Sequence, residues 1–302
     1  MSKVVITGVA GFIGGHLAER LLKEGYDVIG IDDYSTGHYS NIPKGVHFWN
    51  LDISKKENTS IIQHICDGAE TIYHLAAKAR VQPSIANPVM YHETNINGLL
   101  TMLEAARKNN SKFIFSSSSS VVGDIELFPT PEDAPCNPIS PYALHKLIGE
   151  QYCKMYAEVY GLRTVSLRYF NVYGNRMPLE GAYRLVLGIW AKQKKNGEPL
   201  TITGAGYQRR DFTYVGDVVD ANVRAATQDI SQWGQVFNIG NGDNRSINEV
   251  AALFNHPVEH IEARLEPSIT LANNKKAFTV LGWKPTMTIE EWLPTWLNSL
   301  NA

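Results

Sequence analysis

The sequence predicts an α/β protein built on a doubly wound, mainly parallel sheet, and three observations carry that prediction. Short apolar runs alternate with helical repeats from the start of the chain to about residue 170. A glycine-rich turn joins the first run to the first repeat. Polar or small residues (the glycine turn, Asp32, Ala76-Ala77, Ser118 and Asn171) each follow a predicted strand, so they gather on the carboxyl edge, where such sheets bind ligands.

Lys3 to Thr7, β-branched from Val4 on, reads as a buried strand, Phe12 to Lys23 as a helix and Asp27 to Ile31 as a second strand. Val46 to Leu51 is a third strand-like stretch and Thr71 to Leu75 a fourth. An amphipathic helix follows over Asn95 to Lys108, then a strand from Phe113 to Ser117, a helix from Tyr142 to Tyr160 and a strand from Arg163 to Arg168. Val236 to Gly240 and Val215 to Gln228 are expected to return to this layer. The expected division is therefore residues 1–170 with 215–240 in one lobe, and 171–214 with 241–302 in a smaller, discontinuous substrate lobe.

With 302 residues and a formal charge of −2, the chain can bury a large core, and interspersed charges give no general nucleic-acid or membrane surface. The three cysteines, Cys66, Cys136 and Cys153, lack a Cys-x-x-Cys spacing, so neither a disulfide framework nor a zinc site is expected, and a reducing, cytoplasmic setting fits best. No apolar stretch is long enough to span a bilayer, and Met1-Ser2-Lys3 leaves no room for a signal sequence before the first strand. The histidines, among them His16, His74 and His145, show no metal-ligand spacing, so no metal is expected.

Gly8, Gly11 and Gly14 allow a tight turn, close approach of backbone to a pyrophosphate and close packing of helix on strand. The helix N-terminus behind them offers unpaired N–H groups to phosphates. The spacing is Gly-x-x-Gly-x-x-Gly rather than Gly-x-Gly-x-x-Gly, and its place between strand and helix gives it weight. Asp32 and Asp33 follow the second strand, where a carboxylate accepts from adenosine ribose hydroxyls and repels a 2′-phosphate, which favours NAD over NADP. The alternative for both is capping of a loop. Asp52, with Ile53 beside it, is either an adenine contact or a turn residue.

Tyr142 and Lys146 stand one helical turn apart and face one side of their helix. A phenol ionises near pH 10, so using it as a base at neutrality takes a shift of roughly three units, about 4 kcal/mol, which a nearby cation can supply. Alone, a Tyr-x-x-x-Lys spacing usually marks a half-buried Tyr beside an exposed Lys.

The remaining motifs change that weighting. Thr7-Gly8-x-x-Gly11-Phe12-Ile13-Gly14, His74-Leu75-Ala76-Ala77, Asn95-x-Asn97-Gly98, Ser116-Ser117-Ser118, Tyr142-x-x-x-Lys146, Arg168-Tyr169-Phe170-Asn171 and Arg210-Asp211-Phe212-Thr213-Tyr214-Val215 occur in this order. Together they resemble the extended short-chain dehydrogenase/reductase family, in particular its UDP-glucose and UDP-N-acetylglucosamine 4-epimerases, over nearly the whole chain.

The resemblance implies a Rossmann sheet that retains NAD. In that reading Ser118 orients the sugar hydroxyl, Tyr142 is general base and acid, and Lys146 holds the nicotinamide ribose and depresses the tyrosine pKa. It also implies cofactor contacts from Gly8, Gly11, Phe12, Ile13, Gly14, Asp32, Asp33, Thr36, Asp52, Ile53, Leu75, Ala76, Ala77, Asn95 and Tyr169, besides Tyr142 and Lys146. Substrate contacts are implied for Ser118, Tyr142, Asn171, Thr201, Arg210, Arg264 and Thr270. Asn171 and Arg210 match diphosphate-binding positions; the alternatives are a strand-end turn residue and an ion pair with Asp211 or Asp217. Arg264 matches a second arginine clamp in a shortened segment, and Thr270 falls where residue size decides whether an N-acetyl group fits.

Relatives that dehydrate or decarboxylate carry an acidic residue after the serine, to move a second proton. Here Ser119 and Ser120 follow Ser118, which points to simple oxidation at C4 and return of hydride. The expected activity is interconversion of UDP-GlcNAc and UDP-GalNAc, of UDP-glucose and UDP-galactose, or of both. Arg184 and Arg209 keep a uronate 4-epimerase as an alternative, against which Asn171 leans, since a threonine is more usual there in uronate enzymes; another NAD-dependent dehydratase or decarboxylase is the further alternative, opposed by Ser119 and Ser120. A non-catalytic NAD-binding regulator is the reading of a different class, and the intact Ser, Tyr and Lys set opposes it. Two departures from the family stand out: Val122 in place of the usual tyrosine, and Asn175-Arg176-Met177-Pro178. Apolar Leu99, Met102, Leu103, Leu147 and Tyr156 suggest a four-helix homodimer interface or, alternatively, burial on the chain's own sheet.

Overall fold

A computed structural model describes residues 1–179, 185–263 and 266–300. The first layer is β1 (Lys3–Thr7), α1 (Phe12–Lys23), β2 (Asp27–Asp32), β3 (His47–Asn50), α2 (Thr59–Cys66), β4 (Thr71–His74), the short helices α3 (Val81–Ala86) and α4 (Pro88–His92), α5 (Gly98–Asn109), β5 (Lys112–Ser118), α6 (Pro141–Tyr160) and β6 (Thr164–Tyr169). Beyond it lie β7 (Val172–Tyr173), α7 (Val186–Asn196), β8 (Leu200–Thr203), β9 (Arg209–Arg210), β10 (Thr213–Tyr214), α8 (Val215–Thr227), β11 (Gln235–Ile239), β12 (Arg245–Ser246), α9 (Ile247–Ala252), β13 (Val258–Ile261), α10 (Lys275–Leu281) and α11 (Ile289–Ser299).

Seven strands form one sheet in the order β11-β6-β5-β4-β1-β2-β3, with every pair parallel. Helices cover both faces, which is why Val4, Val5 and Ile6 are all fully buried instead of alternating. One face packs α1 and α8 over Val4, Ile6 and Phe237, and the other packs α2, α5 and α6 over Val5, Ile72 and Phe113. Strand order reverses between β4 and β1, so a crevice opens there at the carboxyl ends.

β11 and α8 belong to this layer: β11 pairs with β6, and α8 packs on α1. A separate core around Trp190, Phe254, Leu293 and Trp296 gathers α7, α9 and α11. Small bridges, β7 with β10, β9 with β12 and β13 with β8, stitch these segments together.

One expectation is corrected here, and one open alternative is met. The helix predicted from Asn95 begins instead at Gly98, after a π-helical turn over Glu93–Asn97 that turns Asn95 inward. Leu99, Met102 and Leu103 are fully buried, and Tyr156 nearly so, on the chain's own sheet. The apolar side chains that α3, α4 and α6 leave exposed are Ile85, Val89, Met90, Leu144, Val159 and Tyr160.

Candidate active site

A cleft of about 830 Å³ runs from the glycine turn, across the ends of β4 and β5, to Arg210 and Thr270. At its nucleotide end the backbone does most of the shaping. Gly8 has φ 75°, and a Cβ on it would stand 2.8 Å from the Ala76 nitrogen. A Cβ on Gly14 would stand 2.1 Å from the Gly8 carbonyl oxygen. Only glycine at these positions lets α1 rest against β1 and β4. The N-cap of α1 is Gly11, with no side chain capping its first turn. Those donors, a partial positive charge and an uncrowded approach fit a dinucleotide pyrophosphate.

Asp32 lies on the same wall, its carboxylate accepting from Ala10 N–H at 3.0 Å and Tyr34 N–H at 2.8 Å. Burial pushes its pKa up while those two bonds oppose the rise. Asp33 accepts from Ser35 N–H at 2.8 Å and remains exposed, and Asp52 accepts from both the N–H and the hydroxyl of Ser54. Phe12, Ile13, Thr36, Ile53, Leu75, Ala76, Ala77 and Tyr169 also line the cleft. The Tyr169 hydroxyl itself bonds to Asn222 at 3.0 Å, so its ring, not its phenol, is the surface on offer. Asn95 does not line the cleft: its amide donates to the Lys78 carbonyl at 3.0 Å and accepts from the Lys78 N–H at 2.8 Å. The π-helical turn thus makes Asn95 a clamp on the loop after β4.

The middle of the cleft is set by α6. Ser140 caps that helix through Ala143 N–H, Pro141 opens it, and Gly161 at φ 66° ends it. Gly149 lets α6 approach β5, because a Cβ there would stand 2.3 Å from the Phe115 ring. One turn earlier the same approach brings Lys146 Nζ to 2.6 Å from the Ser116 carbonyl, which accepts its proton, and to 5.9 Å from the Tyr142 ring centroid. A buried pair holds this register: Arg168 donates two bonds to Glu150, at 2.8 and 2.7 Å, and Ser117 donates a third at 2.5 Å. Arg168 therefore acts through structure, and nothing in its local spacing announces that partner.

Ser118 accepts from the Ser120 N–H at 3.2 Å and from the Ser120 hydroxyl at 2.9 Å, and it lines the cleft with Tyr142. Burial lowers the Lys146 pKa to about 8. In the bare chain the phenol of Tyr142 lies above its ordinary value because it is buried, while Ser118 and the charge of Arg80 pull it down. Lys146 donates to the Ser116 carbonyl and keeps its charge 5.9 Å from the centre of the Tyr142 ring.

At the far end, Asn171, Thr201, Arg210 and Thr270 line the cleft. Thr270 Oγ1 accepts from Asn171 Nδ2 and from Asp211 N–H, both at 3.1 Å, and Thr201 shares its hydroxyl with Gln193. Arg210 pairs with Glu266 at 2.7 Å, not with Asp211 or Asp217. Asp211 instead gathers N–H groups from Asn241, Gly242 and Ala272, and Asp217 holds Thr286. Arg209 lies off the cleft, bound to Asn244 and Glu249. Arg264 and Arg184 lie outside the described residues. Val122 is buried beside Val121 and Ala134. Among the residues on the wall that the sequence did not anticipate are Glu266, which local motifs do not mark, and Arg80, six positions after His74 in a matched motif.

A parallel sheet with a glycine cradle at its reversal point and Ser118, Tyr142 and Lys146 beside it defines an NAD-dependent enzyme that acts on a hydroxyl or carbonyl carbon. Comparisons sharpen the class: residues 4–240 match the model of the NAD dependent epimerase/dehydratase family. The chain belongs to that family. It is 35% identical over 303 residues to the UDP-glucose 4-epimerase of Mycolicibacterium smegmatis, covering 96% of this chain and 95% of the relative. The UDP-glucose 4-epimerase of Thermotoga maritima, solved with UDP-glucose, superposes with a TM-score of 0.93 at 34% identity, covering 99% of this chain and 98% of that one. The UDP-N-acetylglucosamine 4-epimerase of Methanobrevibacter ruminantium, solved with UDP-N-acetylmuramic acid, has a TM-score of 0.91 at 32% identity, with the same coverage.

Proposed function

We propose that the protein is a UDP-sugar 4-epimerase that inverts C4 by transient oxidation with retained NAD, acting on UDP-GlcNAc, UDP-glucose or both. The observation that carries the reading is the meeting of Ser118, Tyr142 and Lys146 in one cleft, between the glycine cradle and Arg210, with uncharged Ser119 and Ser120 following Ser118.

NAD, when bound by the glycine turn, Asp32 and the Tyr142–Lys146 face, supplies the acceptor and then the donor of the C4 hydrogen. Tyr142, as phenolate, takes the proton of the sugar 4-hydroxyl and gives it back when the hydroxyl re-forms on the other ring face. Ser118 orients that oxygen: Ser120 fills its acceptor side, which leaves its own proton to donate. Arg210 and Asn171 hold the diphosphate while the sugar turns, the resemblance assigns Arg264 as a second clamp, and Thr201 lines the same end. Arg210 must then exchange Glu266 for phosphate oxygens, a fork-to-oxygen geometry that guanidinium suits. The small Thr270 leaves space for an N-acetyl group.

In this reading residues 1–170 with 215–240 bind cofactor, and 171–214 with 241–302 bind the nucleotide sugar. The protein works in the cytoplasm as a homodimer pairing the α4–α5 and α6 regions. Support comes from Val89, Met90, Leu144 and Tyr160, which stand exposed along those helices, and from three free cysteines. No helix among the described residues is long and apolar enough to cross a membrane.

The test is anomeric-proton NMR of purified protein with UDP-GlcNAc and, separately, UDP-glucose, without added cofactor. Appearance of the galacto isomer is expected. A stable keto or pentose product would replace this reading with dehydration or decarboxylation.

A further inference from the structure

Asp211 follows Arg210 in the chain and is fully buried, and its carboxylate accepts three backbone N–H groups. Oδ1 takes that of Asn241 at 2.7 Å, and Oδ2 takes those of Gly242 at 3.0 Å and Ala272 at 2.9 Å. The backbone of the same residue is engaged as well. Its N–H donates to Thr270 Oγ1 at 3.1 Å, and its carbonyl accepts from Asn171 Nδ2 at 3.1 Å. Asn171 Nδ2 also donates to Thr270 Oγ1 at 3.1 Å, so residues 171, 211 and 270 close a ring of hydrogen bonds at the sugar end of the cleft.

Three stretches of chain meet on this one residue. Asn171 follows β6, Asn241 and Gly242 follow β11, and Thr270 with Ala272 lies between β13 and α10. The first two leave the carboxyl edge of the seven-stranded sheet, the same edge that carries the glycine cradle and Ser118. The third runs beside β9, where the Arg209 N–H donates to the Ser268 carbonyl at 2.9 Å and the Thr270 N–H to the Arg209 carbonyl at 3.0 Å. The junction has no spare room: a Cβ on Gly240 would stand 2.4 Å from the Ala272 Cβ and 2.9 Å from Asp211 Oδ2. Burial pushes the Asp211 pKa up to about 6 while the three N–H bonds oppose the rise, so the group is a carboxylate at neutral pH. An asparagine there would turn its own NH2 towards at least one of the three donors.

We propose that Asp211 is a positioning residue for the substrate, tying the sheet edge to residues 268–272 so that Arg210, Asn171 and Thr270 meet the diphosphate and sugar as one preset clamp. The role presupposes the diphosphate contacts of Arg210 and Asn171 in the epimerase reading. A sugar that turns over while its diphosphate stays needs an anchor fixed to the frame that holds the cofactor. Asn171 Nδ2 carries two hydrogens, so it can give one to a phosphate oxygen and keep the other on the Asp211 carbonyl.

The experiment compares the holoenzyme as wild type, Asp211→Asn, Thr270→Val and the double variant by thermal melting, NAD content, calorimetric titration with UDP, and epimerisation of UDP-glucose and UDP-GlcNAc. Asp211→Asn should weaken UDP binding and raise KM about tenfold for both sugars, with kcat and bound NAD changed less than about twofold. Thr270→Val, which keeps the volume and removes the hydroxyl, should raise the same two quantities about threefold. The double variant should lose less than the product of the two, because both release one segment. Unchanged UDP binding and KM in Asp211→Asn would overturn the proposal, as would losses that multiply in the double variant. A fall in NAD content, kcat and melting temperature with KM unmoved would overturn it too, leaving Asp211 a residue of the core. If Asp211→Asn yields no folded holoenzyme, Thr270→Val decides, and an unmoved KM there would overturn the proposal. UDP binding needs no turnover: weaker binding in Asp211→Asn of a protein that epimerises neither sugar would retain the Asp211 role and discard the epimerase reading.

Discussion

The two ends of the cleft are built by different means. At the nucleotide end, backbone does the work: Gly8, Gly11 and Gly14 clear space, and the uncapped first turn of α1 supplies donors. From the middle of the cleft to the sugar end, charged side chains do the work, each already engaged: Lys146 with the Ser116 carbonyl, Arg210 with Glu266, and Arg80 on a pinned loop. A site made of backbone holds a ligand that stays. A site made of exchangeable side-chain partners suits a ligand that must release, turn and rebind part of itself.

Tyr142→Phe is the sharpest way to separate the two ends. It should lower kcat by about 10²–10⁴-fold, the range of a lost general acid–base, while purified protein still carries NAD. Loss of the bound cofactor together with turnover would merge the ends that the comparison keeps apart. Gly14→Ala should do the opposite: its Cβ meets the Gly8 carbonyl at 2.1 Å, so NAD retention should weaken by about 3 kcal/mol or more, over a hundredfold. Cofactor content by absorbance after gel filtration checks this.

Lys146→Met sharpens the contrast through stability. Burial brings the Lys146 pKa from 10.5 to about 8 in the folded chain, so the charged form opposes folding. By linkage the opposition is complete below pH about 8 and fades as pH rises towards 10.5, where the unfolded chain also loses the proton. Chemical denaturation at neutral pH should therefore show Lys146→Met more stable by up to about 3 kcal/mol, with the gap closing at high pH, while turnover falls. A less stable variant would show that the bond to Ser116 outweighs the burial cost.

Arg210→Lys keeps a charge but loses the fork, and should raise KM about tenfold with a smaller change in kcat. Thr270→Tyr should have the smallest effect on UDP-glucose and a severalfold larger one on UDP-GlcNAc, read as a ratio of kcat/KM values. Equal losses on both substrates would assign Thr270 to support of Asn171, whose amide it already accepts.

The same contrast explains what the sequence discloses. Lys3–Thr7, Phe12–Lys23 and the helix ending at Tyr160 are legible because apolar periodicity, Gly11 and Ser140 mark them locally. The glycine cradle is legible for the same reason. The second core is not, since β7, β9, β10 and β12 are two residues long and carry no alternation. Arg210 meets Glu266 across 56 positions, and Asn95 turns to Lys78 through a π-helical turn that helical spacing conceals. Leu99, Met102 and Leu103 give one periodicity whether they face a partner subunit or their own sheet, and here they face the sheet.

The central claim is that one retained cofactor takes hydrogen from C4 and returns it to the same carbon. The most direct measurement is turnover of UDP-GlcNAc and UDP-glucose in D₂O, with the product read by NMR at C4 and C5. Retained protium at both positions is the predicted result. Deuterium at C4 would mean that the hydrogen passed through solvent, and deuterium at C5 that a second proton is moved; either would contradict the account.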